Sequence, residues 1–304
     1  MTRSKTPVWL SALLWVLAVL MMFSAVVYQR TTGPTYPKRG DLVTADGTLR
    51  YKLVRSEYTT TDAAVILPLP AGAAGADATV FFKRYKTEDA WTPLPMAVEA
   101  SDDGDQLVAR LPAQPAAGKL EYYLEVDVDG AGGLAMQRIP QASEDENIII
   151  RFKDPVPTAL LAAHVIFMFF SVLIGMRTGL GALFAPNGMR RLAWITFTGL
   201  TIGGMILGPF VQKYAFGEYW TGFPWGYDLT DNKMLIMWLA WLIACTSVGL
   251  KPKRKEGVGR VVVVIAALVM TVVYLIPHSM RGSELDYSKV DQGIAPSEAI
   301  GTGD

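Results

Sequence analysis

The chain has 304 residues, 51% of them hydrophobic and only 18% charged, and its 28 basic and 28 acidic side chains balance to zero. A soluble protein carries about 25% charged residues, and there is no basic excess to meet phosphates. A soluble enzyme and a nucleic-acid binder are both excluded. The one cysteine, Cys245, leaves neither an internal disulfide nor a cysteine metal cluster.

Five stretches contain no Asp, Glu, Lys or Arg: 6–29, 155–176, 192–212, 234–250 and 261–280. Each is of the length a helix needs to cross a hydrocarbon core, about 17–25 residues. The organisation predicted is a transmembrane anchor at 1–29, a β-sandwich at 30–154, a bundle of four transmembrane helices at 155–280 and a tail at 281–304. The first stretch exceeds the roughly 7–15 apolar residues of a cleaved signal, and Ser24-Ala25-Val26-Val27-Tyr28 offers a poor cleavage site. It reads as an uncleaved anchor. With the N-terminus cytoplasmic, segments 1–5, 177–191 and 251–260 hold ten Lys/Arg against one acid, Glu256, while the rest hold 18 Lys/Arg and 27 Asp/Glu. Short Lys/Arg-rich loops stay in the cytoplasm. The expected protein is thus a multi-pass protein of the bacterial inner membrane, with the sandwich, the 213–233 loop and the C-terminus in the periplasm.

The polar block alternates with period two at 49–55, 79–85, 106–111, 119–126 and 147–152, with weaker candidates at 64–67, 96–99 and 134–138. Strands at this spacing, divided by Gly, Pro and Asp clusters, predict a two-sheet sandwich. The run Leu111-Pro112 followed by Gly118-Lys119-Leu120-Glu121-Tyr122-Tyr123-Leu124-Glu125-Val126 resembles the penultimate strand of fibronectin type III and immunoglobulin-like domains. The resemblance implies a tyrosine tied back to a neighbouring turn, and a module that displays surface. The block has no histidine and no nucleophile motif. Asp102, Asp103 and Asp105 around Gly104 read as a hairpin turn rather than a calcium site. Glu144-Asp145-Glu146 reads as a charged loop, and 71–76 as a loop of small residues.

In the third stretch Gly199, Gly203, Gly204 and Gly208 form two small-xxx-small pairs, the pattern that lets helices approach closely in lipid. The spacing leaves open whether the partner helix belongs to this chain. The five charge-free stretches place no ionised group in the membrane, which argues against transport. On the outer face, seven of the fifteen residues from Tyr214 to Asp228 are aromatic, and the only histidines, His164 and His278, sit near outer helix ends. Trp220, Trp225, Tyr227 and His278 are expected to form a docking surface for a neighbouring chain; membrane-interface anchoring is the alternative. Asp228, Thr230 and Asp231 are N-cap candidates for the helix that follows.

Phe216-Gly217-Glu218-Tyr219-Trp220 with Trp225-Gly226-Tyr227-Asp228 resembles the tryptophan-rich loop of the haem-handling proteins of cytochrome c maturation. It departs from that motif at Phe216, at Tyr227 and in the spacing between the two tryptophans. The resemblance implies haem b held by His164 and His278, with Trp220, Trp225 and Asp228 as its platform. The overall layout resembles the non-catalytic accessory subunits of bacterial photosynthetic reaction-centre and light-harvesting complexes. That implies a scaffold, with no catalysis, metal or cofactor, whose partners are other integral membrane proteins and lipids. The scaffold is the reading adopted, and haem handling its alternative.

Overall fold

The computed structural model describes residues 6–44, 47–69, 77–102, 104–127, 136–141, 147–251, 257–278 and 282–301. The chain forms two compact units. One comprises Met1–Pro34 and Val156–Gly282, the other Thr35–Pro155 and Ser283–Gly303. The candidate turn residue Asp103, the acids 144–146 and the loop 71–76 lie outside the described residues.

The helical unit contains α1 (Val8–Thr32), α2 (Thr158–Phe184), α3 (Met189–Leu200), a π-helical segment (Thr201–Leu207) running into α4 (Gly208–Phe216), α5 (Leu229–Val248) and α6 (Gly257–Leu275). Among the described residues, four helices are long and apolar enough to cross a membrane: α1, α2, the continuous helix Met189–Phe216, and α6. Five had been expected. α5 stands outside this set because its first turn carries Asp231, Asn232 and Lys233. α1 is no separate anchor. It buries one stripe, Leu14, Ala18, Met22 and Ala25, and packs on α2 and α6, so the bundle has five helical rods and not four plus one. Its other faces leave Trp9, Val16, Leu20 and Phe23 exposed, as suits a helix whose solvent is lipid.

α2 lies at the centre, against α1, α3 and α6. Its small residues let the α6 backbone approach: a Cβ on Gly175 would stand 2.8 Å from the Met270 sulfur, and one on Gly179 would stand 2.5 Å from the Ala267 Cβ. Trp241 of α5, fully buried, donates its indole N–H to the same Met270 sulfur at 3.2 Å. The helices outrun the charge-free stretches. α2 continues through Arg177, which is buried, with its guanidinium 5.4 Å from the Trp15 ring centre and a contact to the Ser11 hydroxyl at 3.4 Å. The expectation of helices free of ionisable groups is therefore corrected at Arg177, Asp231 and Lys233. A charge near a helix end can be covered by neighbouring helices, which a count along one stretch does not detect.

The second unit holds a β1–β2 hairpin (Lys38–Thr44, Gly47–Leu53) and two larger sheets. One sheet runs β3 (Ser56–Tyr58), β11 (Ile148–Lys153), β9 (Lys119–Asp127), β5 (Asp77–Arg84), β6 (Thr92–Pro95), with β10 (Met136–Ile139) also on β9. The other runs β4 (Ala63–Pro68), β8 (Gly104–Leu111), β7 (Ala97–Ser101). β9 alternates strictly, burying Leu120, Tyr122, Leu124 and Val126. These join Val80 and Ile150 of the same sheet, Val65, Leu67 and Leu111 of the other, and Leu42 and Leu53 of the hairpin in one core. Tyr122, fully buried, donates its hydroxyl to the Val54 carbonyl at 2.7 Å. β7 and β8 meet at Ser101 and Gly104, the latter at φ 115°, where a side chain would be strained.

The segment expected as a tail folds into this unit. β12 (Glu284–Leu285) pairs with β13 (Ile300–Gly301), and between them α7 (Tyr287–Asp291) is capped by the Asp286 carboxylate. The Tyr287 hydroxyl accepts the Lys119 amide at 3.1 Å and lies 3.0 Å from both the Lys119 carbonyl and the Gln114 side-chain oxygen. Arg84 makes two-pronged contacts with Asp291 (2.7 and 2.9 Å) and Asp89 (2.6 and 3.0 Å). Arg151 donates to the Ser283 carbonyl at 2.6 Å.

Candidate functional site

The aromatic connection between α4 and α5 is pinned from within the helical unit. Gly217, at φ 86°, ends α4 in the left-handed conformation, and its N–H bonds the Lys213 carbonyl at 2.9 Å. Asp228 is the N-cap of α5 and accepts the amides of Thr230 (2.7 Å) and Asp231 (3.3 Å). Asp231 reaches back to accept the Thr221 amide at 2.7 Å, and Asn232 accepts the Phe223 amide at 2.7 Å. The Thr221 hydroxyl accepts from Gln212 at 2.7 Å and lies 3.2 and 3.3 Å from the carboxylates of Asp228 and Asp231. Turn bonds from Trp225 and Gly226 to the Gly222 carbonyl, each 3.0 Å, and from Asp228 to the Thr221 carbonyl, 3.0 Å, close the loop on itself.

What this frame holds out is apolar. Trp225 is 80% exposed, Tyr227 77% and Phe223 63%. Trp220, grouped with them by sequence, is half-buried and donates its indole N–H to the Phe223 carbonyl at 3.1 Å. It supports the loop's tip and is not the tip itself. Phe223 takes the place that the sequence had given it. Thr221, Asp231, Asn232 and Gln212 were missed as a set. Their signal was the run Asp228-Leu229-Thr230-Asp231-Asn232-Lys233, more polar side chains than one helix cap requires.

The two histidines have unlike surroundings. His164 of α2 has Nδ1 2.8 Å from the Gly203 carbonyl. A carbonyl only accepts, so this nitrogen carries the proton and Nε2 keeps its lone pair. The carbonyl is reached because the helix is widened there. Pro209 has no N–H for the preceding turn, and the Gly208 N–H bonds the Gly203 carbonyl across five residues. At His278 the Nδ1 lies 3.1 Å from the Gln29 side-chain nitrogen, which also donates to the Tyr274 carbonyl at 3.0 Å. The Lys233 ammonium is 3.5 Å from the same Nδ1. Both neighbours are donors, so Nδ1 of His278 accepts and its proton sits on Nε2. The pair therefore does not fit a haem gripped by two Nε2 lone pairs. His278 belongs to a helix-end network in which buried Lys233 donates to the carbonyls of Ile276 (2.5 Å) and Pro277 (3.2 Å), just past the C-terminus of α6. A cation there offsets the partial negative charge of the helix end. Lys233 and Gln29 also escaped the sequence reading, because their partners are more than 40 residues away in the chain.

The glycine face packs within the chain. A Cβ on Gly199 would stand 2.2 Å from the Ser171 hydroxyl, one on Gly203 2.8 Å from the Phe167 Cβ, and one on Gly204 2.1 Å from the Met234 sulfur. Gly199 and Gly203 thus admit α2, and Gly204 admits α5. At Gly208 the nearest atom is 3.7 Å away, so it takes no part in the close approach.

No protein-family model and no curated protein sequence matches the chain.

Proposed function

We propose that the chain is a non-catalytic accessory subunit of a larger bacterial membrane complex, photosynthetic or electron-transferring, and that it holds other integral membrane proteins in place. The observation that carries this is the α4–α5 connection, a hydrogen-bonded frame that presents Phe223, Trp225 and Tyr227 to the outside. Rigid, exposed aromatics give contact area at small entropic cost, and such residues dominate the energetics of protein interfaces. Membrane-interface anchoring needs aromatics but no such frame. The charge partition read from the sequence favours a periplasmic position for this rim and for the sheet unit. The sheet unit we read as an immunoglobulin- or fibronectin-like display module. Two sheets sharing one core and the Tyr122 hydroxyl bound to the Val54 carbonyl support this.

The test is affinity purification in mild detergent from cells carrying the native chain or a Trp225→Ala, Tyr227→Ala variant. The native chain should bring down integral membrane partners, and the variant should insert normally and lose them. Equal recovery would leave the aromatics as membrane anchors. A second reading, haem b binding, rests on His164 alone, whose bond to Gly203 leaves Nε2 able to ligate. A Soret band from the purified chain that disappears in His164→Ala would establish it.

A further inference from the structure

At the opposite end of the bundle from the aromatic loop, where α2 and α5 end and α3 begins, the surface opens into a cavity of about 510 Å³. Arg190, Arg191, Trp194, Ile195, Thr198 and Leu250 are among the residues that line it, and Ile195 and Leu250 are themselves exposed. We infer that this cavity is a binding site for an anionic glycerophospholipid, with the phosphate on the two arginines and the start of an acyl chain along Ile195 and Leu250.

The argument begins with charge. Two arginines line the cavity and, among the described residues, no acid does. Arg190 is oriented by donating Nε to the Val248 carbonyl at 3.1 Å. Arg191 is exposed and, among the described residues, has no hydrogen-bonding or ionic partner. Guanidinium groups suit phosphate because their planar donors match its oxygens. Polarity then changes along α3, from charged to less polar side chains. From Arg190 to Thr198 the helix rises about 12 Å, passing from two cations through an indole to Ile195 and Thr198. Trp194 donates its N–H to the Gly249 carbonyl at 3.2 Å, which holds the ring at the boundary between these zones. Tryptophan prefers that depth of a bilayer. A free phosphate would use the arginines and leave Trp194, Ile195 and Leu250 unmatched, while a neighbouring helix would leave the arginines unmatched. A phospholipid with net negative charge satisfies both.

The test is native mass spectrometry of the purified full chain titrated with phosphatidylglycerol or phosphatidylcholine, with soluble glycerol phosphate as competitor. Phosphatidylglycerol should bind tighter. Each basic side chain near such a headgroup is worth about a fivefold preference, so Arg191→Gln should cut the preference about fivefold and Arg190→Gln, Arg191→Gln together roughly 30-fold. Ile195→Trp fills the cavity without changing charge and should lower phosphatidylglycerol binding, while circular dichroism verifies that each variant is folded. Equal affinity for the two lipids, a preference unchanged in Arg191→Gln, or displacement of the lipid by millimolar glycerol phosphate would each overturn the assignment.

Discussion

Asp231→Ala should dismantle the aromatic rim without touching an aromatic residue. Asp231 is buried, and its carboxylate accepts the Thr221 amide at 2.7 Å and sits 3.3 Å from the Thr221 hydroxyl. Truncation leaves a buried N–H without its partner, at a cost of about 1–3 kcal/mol. Some of this is offset, because the variant also removes a desolvated carboxylate beside Asp228. A net loss of about 2 kcal/mol raises the open population of the loop roughly 30-fold. Hydrogen exchange in detergent reads this directly: the amides of Thr221, Trp225, Gly226 and Asp228 should exchange roughly 30-fold faster, while those in the middle of α2 are unchanged. Trp225→Ala is the counterpart. Its side chain is 80% exposed, so exchange should stay native while partner recovery falls, a single anchor being worth about 2 kcal/mol or more. If Asp231→Ala leaves loop exchange and partner recovery native, the hydrogen-bonded frame does not organise the rim, and the docking argument loses its basis.

Gly203→Ala should lower the thermal midpoint in detergent by several degrees, since the new methyl would meet the Phe167 Cβ at 2.8 Å and the Met168 nitrogen at 3.2 Å, whereas Gly208→Ala, with 3.7 Å of room, should not. Equal midpoints for the two would refute the close approach of α2. Tyr122→Phe should destabilise the sheet unit by about 1–3 kcal/mol, read as a lower denaturant midpoint, because the Val54 carbonyl loses its donor in a buried setting. Acid should loosen the segment 283–301: hydrogen bonding from Arg84 holds both Asp89 and Asp291 below their usual 3.8. Carboxylates depressed in this way add stability above pH 3.8 and lose it as pH falls through their lower folded values. Proteolysis within 283–301 by an acid-active protease should rise below about pH 4 and stay flat from pH 5 to 8, and a rise already at pH 6 would mean that another group controls the docking.

The elements legible in the sequence are those whose own residues decide their state. β9 could be read because Leu120, Tyr122, Leu124 and Val126 alternate with polar neighbours on a strand buried on one side. α2 and α6 could be read from their unbroken apolar runs, and Asp228 from its position ahead of one. β1 escaped because Lys38-Arg39-Gly40-Asp41 has no apolar period, and β12 and β13 because two residues each carry no pattern at all. Their state is set by partners far off in the chain. The same holds for the site. Glycine spacing announced a close approach, but only the fold could assign Gly203 to α2 and Gly204 to α5. The exposed aromatics were visible as a cluster, yet the split between Trp220 turned back and Trp225 turned outward depends on hydrogen bonds that Asn232 and Asp231 make from the next helix.

The folding of residues 283–301 onto the sheets also counts membrane crossings. A chain that leaves the sheet unit at Pro155 and rejoins it at Ser283 has to end on the side from which it started, so the number of passages between those points is even. Among the described residues, three helices in that interval qualify by length and composition: α2, Met189–Phe216 and α6. Three is odd. An even count would require α5 as a fourth crossing helix, in spite of the Asp231, Asn232 and Lys233 in its first turn. Its polar first turn is already satisfied inside the chain, Lys233 by the carbonyls of Ile276 and Pro277 and Asp231 by the Thr221 amide.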